Sequence, residues 1–447
     1  MIRVALWFIL FFAIAAGAVW LANHPGDVTI DFSGLRFYSS FAELILMAAI
    51  LAGLVALAVW FVGWVRRDMP VFGSNAIVKR QTRGLKMLNQ SLVALSAGDH
   101  GLAGRLIGQA EVLLPPQPMV HLIAAEAAQR SGDHAAAKKR YAQLEETSEG
   151  RLLGLRGLLG EARRSGSEGE ALRLARVAFE ENRKSPWVLK TLFALEVAAG
   201  NWTEANDALV KVMREGLIEK ETGTSHQGAL AYAEASELSL KGDRAGAKKG
   251  FKKALSLRPG FVPATVALAR QDLASGSRKR AENLVKEAWA QSPHPGLARI
   301  FKELDITESK ANWLKRVRTI CDTLPDHPQS LLLLTDALMD AGEYDAAKPV
   351  LEKLIKQSPS RSAWQFRLAL AHVLGEDPDP IEAALVHAED DALWQCSECG
   401  ERPRGWSPLC GECDAFDTIT WQHRHDVVKP GKTFDPDNTI ALISDTV

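Results

Sequence analysis

Four of the five cysteines in this 447-residue chain fall in one short carboxy-terminal window, as Cys396-Ser397-Glu398-Cys399-Gly400 and Cys410-Gly411-Glu412-Cys413. Each Cys-x-x-Cys pair can place two thiolates on one tight turn, and four thiolates fill the tetrahedral shell of a structural metal. Gly400 and Gly411 are the residues expected to give the two knuckles their backbone freedom, leaving amides to hydrogen-bond sulfur. The gap between the pairs is shorter than the usual roughly 15–20 residues of a four-cysteine zinc site. It suffices for a minimal ribbon of two hairpins, with Thr418–Trp421 as a strand. Two disulfides would need an oxidising compartment, and a thioredoxin-like redox pair would need a βαβ unit for which the window has no room. The expectation is a closed, structural site at Cys396, Cys399, Cys410 and Cys413, holding zinc, with iron the alternative. His423 and His425 follow closely; with four thiolates at hand they read as a solvated pair. Cys321, alone, reads as a small buried residue.

Other constellations that could do chemistry are missing from the sequence. It has no Gly-x-Gly for a dinucleotide turn, no Cys-x-x-Cys-His, no His-Glu-x-x-His, no phosphate-loop Gly-x-x-x-x-Gly-Lys-Ser/Thr and no Gly-x-Ser-x-Gly. The chain is therefore not expected to be an enzyme, and no catalytic or cofactor-binding residue is assigned. Its net charge of −1 and the absence of basic stretches interleaved with aromatics argue against nucleic-acid binding.

The elements that must carry the ribbon announce themselves by a period. A Gly with an Ala five places on occurs at Gly98/Ala103, Gly132/Ala137, Gly166/Ala171, Gly200/Ala205, Gly242/Ala247, Gly276/Ala281 and Gly342/Ala347, in steps of 34, 34, 34, 42, 34 and 66 residues. The Gly ends a first helix, the polar residue after it starts a second, and the Ala permits their close approach. Small residues follow at Ala110, Ala178, Ala254 and Ala288, aromatics at Tyr141 and Phe251, and helix-stopping prolines at Pro115, Pro259, Pro293 and Pro359. The 42-residue step places a surplus in 216–227, where Glu219–Ser225 reads as a polar loop. The 66-residue step places a degenerate unit around Ile306–Pro325. Basic runs at Lys138–Arg140 and Lys248-Lys249 read as solvated faces of second helices.

Ahead of the period lie two apolar stretches, about 4–22 and 41–65, each long enough to cross a bilayer. The loop between them, about 18 residues, turns at Pro25-Gly26. Residues 66–86 carry six positive charges against Asp68 alone, which puts both termini in the cytoplasm. Cleavage after Ala13-Ile14-Ala15 as a signal peptide is the competing reading of the first stretch.

These features carry three resemblances. The 34-residue period, over roughly Arg83–Leu374, resembles tetratricopeptide repeats, which implies a solenoid of helix pairs that binds proteins. Two spans, a loop with His24-Pro25-Gly26-Asp27-Val28, the Arg66-Arg67 segment with Gly73-Ser74, and repeats thereafter resemble the HemY family of bacterial inner-membrane proteins; the resemblance implies an association with haem (tetrapyrrole) biosynthesis. The lack of Gly-x-Gly separates this chain from the unrelated flavin-dependent oxidase of the same name. The cysteine ribbon resembles that of the lipopolysaccharide assembly protein B family, a protease adaptor in which Cys396, Cys399, Cys410 and Cys413 would be the ligands; that family has one span, not two.

The sequence thus reads as a mainly α chain: a membrane anchor at 1–67, a juxtamembrane linker at 68–82, a tetratricopeptide solenoid of about eight helix pairs at 83–388, a four-cysteine ribbon at 389–425 and a tail at 426–447. The expected function is a non-catalytic inner-membrane scaffold that recruits protein partners, tetrapyrrole-biosynthesis enzymes foremost. An envelope-synthesis or proteolysis adaptor, and an enzyme of the haem pathway, are the alternatives. The ribbon would either cap the open end of the solenoid or dock on its face.

Overall fold

The computed structural model describes residues 26–32, 35–68 and 74–422, with a few positions before them. It divides into two units, Met1–Ala127 and Ala128–Val447.

In the first unit, β1 (Asp27–Phe32) and β2 (Leu35–Ser40) pair antiparallel with Thr29 opposite Tyr38. The segment expected as a plain loop is thus a hairpin; both runs are rich in the β-branched and aromatic residues that favour strands. Helix α1 (Phe41–Asp68) follows, and its Glu43–Trp64 stretch is, among the described residues, the one helix long and apolar enough to cross a membrane. Two such spans were expected; most of the first, about 4–22, lies outside the described residues. Helices α2 (Ser74–Ser96) and α3 (His100–Leu113) form the first helix pair, closed over Leu88, Leu95, Ala103, Ile107 and Ala110. α2 starts within the stretch read as linker. α4 (Pro118–Arg130) runs across the boundary between the units.

The second unit continues with α5 (His134–Glu145), α6 (Arg151–Arg164), α7 (Glu168–Glu181), α8 (Pro186–Ala198), α9 (Trp202–Arg214), α10 (Lys220–Leu240), α11 (Arg244–Leu257), α12 (Val262–Ala274), α13 (Arg278–Trp289), α14 (Pro295–Glu303), α15 (Lys310–Cys321), α16 (Pro328–Ala341), α17 (Tyr344–Gln357), α18 (Arg361–Leu374) and α19 (Asp379–Val386). From α2 on, even-numbered helices are the first of each pair and odd-numbered ones the second, making nine pairs among the described residues where about eight were expected.

The period has a direct structural cause. Each of its seven glycines has a positive φ, from +69° at Gly166 to +86° at Gly132, a backbone that L side chains rarely adopt. The residue after it caps the second helix: Asp99, Asp133 and Asp243 each accept a hydrogen bond from the backbone N–H three residues on, at 2.9–3.0 Å. Every Ala five places past the Gly is fully buried. Tyr141 and Phe251 are buried as expected.

Two segments depart from expectation. Glu219–Ser225 is not a loop: Glu219 is the N-cap and the rest forms the first turns of α10, a 21-residue helix. The surplus residues lengthen a first helix, and Gly223 packs against the Met213 side chain, which a Cβ there would meet at 2.7 Å. Lys248 is not simply solvated, since its ammonium pairs with the buried carboxylate of Asp272 on α12. The degenerate unit is a nine-residue α14 followed by α15, where Ser309 caps the helix. There Cys321 is buried with its thiol on the Ser330 carbonyl, 3.4 Å away; burial, reinforced by Asp322, pushes that thiol up to about 12.

Candidate metal centre and the face that holds it

After α19 the chain forms a small sheet, β3 (Leu393–Cys396) antiparallel to β4 (Ile419–Gln422), with Cys396 opposite Ile419. Two knuckles hang from it with the same internal bonding. The N–H of Cys396 donates to the Glu401 carbonyl at 2.8 Å and that of Gly400 to the Cys396 carbonyl at 3.0 Å. Fourteen residues on, Cys410 donates to Ala415 at 2.9 Å and Asp414 to Cys410 at 3.0 Å. The equivalent corners are Gly400 (φ +79°) and Asp414 (φ +55°). Gly411, expected to supply the second corner, is not among the positive-φ residues; Asp takes the left-handed backbone instead, as Asn and Asp do more readily than other side chains.

All four Sγ atoms lie within 4.8 Å of one another. Cys396 and Cys413 are 3.8 Å apart, and Cys399 and Cys410 3.6 Å. A tetrahedral shell with metal–sulfur bonds of about 2.3 Å has edges of about 3.8 Å, so these residues fit a four-thiolate ion. Cys396 and Cys410 are buried and the other two half-buried, and Ile419, Trp394 and Trp406 pack around them. Burial raises the Cys396 thiol, but the Thr418 hydroxyl at 3.3 Å and the backbone N–H groups of Cys399 and Glu398 outweigh it and bring it down to about 7. Burial pushes the Cys399 thiol up to about 11 and raises Cys413 as well. One thiolate is thus favoured in advance, and a bound cation would deprotonate the others. His423 and His425, and the tail at 426–447, lie outside the described residues.

Within the second unit, the ribbon lies against first helices from α8 to α18 and the residues that lead into them. Asp417 is the deepest anchor: its carboxylate, 3% exposed, accepts from Arg258 Nη1 at 2.8 Å and meets His226 Nδ1 at 2.9 Å. His226 is on α10, close to the extra turns that the 42-residue step supplies. Phe416, next to Asp417, packs edge-on against Phe193 of α8 and tilted against the His226 ring, 5.4 Å between centroids. Trp406 meets Tyr232 of α10 and Phe261 edge-on, at centroid distances of 5.2 and 4.8 Å. His294, the N-cap of α14, accepts from the Gly296 N–H through Nδ1 and packs on Trp421 at 4.2 Å and Trp394 at 5.2 Å. Burial, with Arg299 adding to it, lowers its pKa to about 4, so the ring is neutral. Farther along, Asp391 accepts from both the N–H and the hydroxyl of Ser362 on α18.

None of these anchors was assigned from sequence. The eight-residue surplus was the one available signal, because it marks where the repeat is altered.

Two of the cavities in the second unit are lined by groups that could act as acid or base. One of about 460 Å³ along α7 is lined by Arg151, Arg173 and Arg176, already paired with Glu181, Glu170 and Glu196. One of about 230 Å³ beside the ribbon contains His327 and Asp391, which cap α16 and hold Ser362. Neither brings together a free acid and base.

Residues 26–132 match the family described as HemY protein N-terminus, and residues 328–371 match Tetratricopeptide repeat. The chain is 21% identical to Protein HemY of Escherichia coli K12 over 395 residues, 87% of this chain and 97% of that protein. It is 22% identical over 236 residues to the probable magnetosome protein Mms48 of Magnetospirillum gryphiswaldense, a match spanning 51% of this chain and about half, 52%, of that protein. Among solved structures, yeast Tom70 aligns with a TM-score of 0.28 at 15% identity, covering 68% of this chain and 84% of its own. The chain is thus similar to HemY proteins along most of its length and carries a tetratricopeptide-repeat match at residues 328–371.

Proposed function

We propose that this protein is a non-catalytic scaffold of the bacterial inner membrane, anchored by two spans with both termini cytoplasmic, whose first-helix face recruits proteins. The observation that carries the reading is the ribbon itself. A folded domain already sits on that face through a buried carboxylate, two aromatic clusters and hydrogen bonds, which is the kind of engagement that a protein partner would need. The rest of the row presents first helices of the same kind, and holding partners beside the membrane raises their local concentration without any chemistry.

In this reading Cys396, Cys399, Cys410 and Cys413 hold a structural zinc, with iron as the alternative, in a ribbon that follows in sequence a solenoid over about 83–388 and docks on its face. The metal would fix the two knuckles and so the side chains of Trp406, Phe416 and Asp417 between and beyond them. The HemY likeness supports partners from tetrapyrrole biosynthesis. The ribbon favours one second reading, an adaptor for envelope synthesis or proteolysis.

Crosslinking in intact cells, mild-detergent purification and mass spectrometry separate the two, with a Cys396→Ser/Cys399→Ser variant alongside. Tetrapyrrole enzymes among the specific partners support the first reading. A membrane protease or lipid-synthesis enzyme, lost in the variant, replaces it with the second. Turnover of a haem precursor by the purified protein would overturn both.

A further inference from the structure

We infer that α2 is a membrane-surface helix that lays an apolar stripe and a lysine stripe on an anionic lipid bilayer. The inference rests on α1 lying in the membrane, and it concerns the first unit alone.

The helix has two characters. Gly84, Leu88, Ser91 and Leu95 are buried against the rest of the first pair; at Gly84 a Cβ would meet Leu114 at 2.7 Å. Away from that face, Val78, Leu85 and Leu92 recur at seven-residue intervals and are 55%, 47% and 48% exposed. Such spacing keeps three side chains in one stripe along the helix. Val93 is exposed beside them at 69%. Lys79 and Lys86, each one residue past a stripe member, are exposed one helical step of about 100° round. Arg83 is also exposed, and α2 has no acidic residue.

Position selects the occupant. Five residues separate Asp68 at the end of α1 from Ser74 at the start of α2. Six Cα–Cα steps reach at most about 20 Å, so α2 begins beside the headgroups whenever α1 spans. An exposed apolar stripe flanked by lysines, with no acids, is what binds the boundary between headgroups and acyl chains, where the lysine stems lie along the apolar region and their charges meet anionic lipid. A docked protein would need acids matching these cations; the anionic leaflet supplies them without a dedicated partner, at about fivefold in partitioning per cation.

The full chain, purified and placed in nanodiscs of phosphatidylcholine with or without phosphatidylglycerol, tests this. A photoreactive benzoylphenylalanine replaces Leu54 in α1, Leu85 or Leu92, one at a time, and adducts are identified by mass. Lipid adducts at all three positions are expected. Those at Leu85 and Leu92 should be several-fold more abundant with phosphatidylglycerol and should fall at least fivefold in a Lys79→Glu/Lys86→Glu background, while the Leu54 adduct stays unchanged. Because both lysines are exposed, that variant keeps its fold, and unchanged circular dichroism checks it. Lipid adducts at Leu54 with none at Leu85 and Leu92 overturn the proposal and leave the span intact; no lipid adduct at Leu54 overturns the span and the proposal together. Adducts joining two copies of the chain at Leu85 and Leu92 overturn it in favour of a dimer.

Discussion

Replacing Asp417 with alanine should release the ribbon from the helices without unfolding either. The carboxylate is almost fully enclosed and joins two segments that lie 159 and 191 residues away in sequence, at Arg258 and His226. Breaking a fully buried ion pair by removing one partner costs about 3–5 kcal/mol. Here the Arg258 side chain keeps 30% of its exposure and that of His226 17%, so both regain some hydration once the partner is gone. The expected loss is therefore smaller, about 2–3 kcal/mol, or about 30- to 150-fold in the population with the ribbon detached. The connection from Glu376 to Ala392 contains Glu382 and Glu389 but no Lys or Arg, so a glutamate-specific protease can report detachment there. When cleavage is slow relative to reclosing, its rate follows the open population. Asp417→Ala should raise that rate at least tenfold while the metal content per chain stays that of the parent. A rate within twofold of the parent, with the fold intact, would refute the claim that this carboxylate holds the ribbon in place.

The remaining predictions are shorter. Ala247→Leu places three extra carbons at a fully buried helix–helix contact and should cost about 1–3 kcal/mol, read as a lower urea midpoint. The neutral, buried His294 binds its proton only near pH 4, whereas the unfolded chain binds it near pH 6.5. Between those values the unfolded state holds more protons, so stability is present above pH 6.5 and is lost as the pH falls, by about 1.4 kcal/mol per unit and at most about 3 kcal/mol. The stability difference between pH 7 and pH 5 should therefore shrink in His294→Gln; an unchanged difference would show that this ring does not titrate as described.

The repeats were legible because each unit restates the same local requirements: a left-handed corner that glycine fills, a cap after it, and an alanine where two helices touch. Seven restatements outweigh the ambiguity of any one. The four cysteines were legible for a similar reason, since their pairing is local and their chemistry narrow. What was not legible depended on distant chain. Glu219–Ser225 has a loop's composition but turns helical against Met213. Asp414 adopts a corner that composition assigned to Gly411. The partners of Asp417, Trp406 and His294 come together only once α8–α14 are stacked, and nothing local to those residues distinguishes them from any other Asp, Trp or His.

The central claim is that Cys396, Cys399, Cys410 and Cys413 form one closed metal centre that holds the docked ribbon together. The most direct measurement is metal content with X-ray absorption on the purified full chain and its Cys396→Ser/Cys399→Ser variant. The account predicts one zinc or iron per chain with four sulfur neighbours at about 2.3 Å, lost in the variant together with protection from glutamate-specific cleavage. A chain that carries no metal, or a metal with nitrogen or oxygen neighbours that survives in the variant, would contradict it.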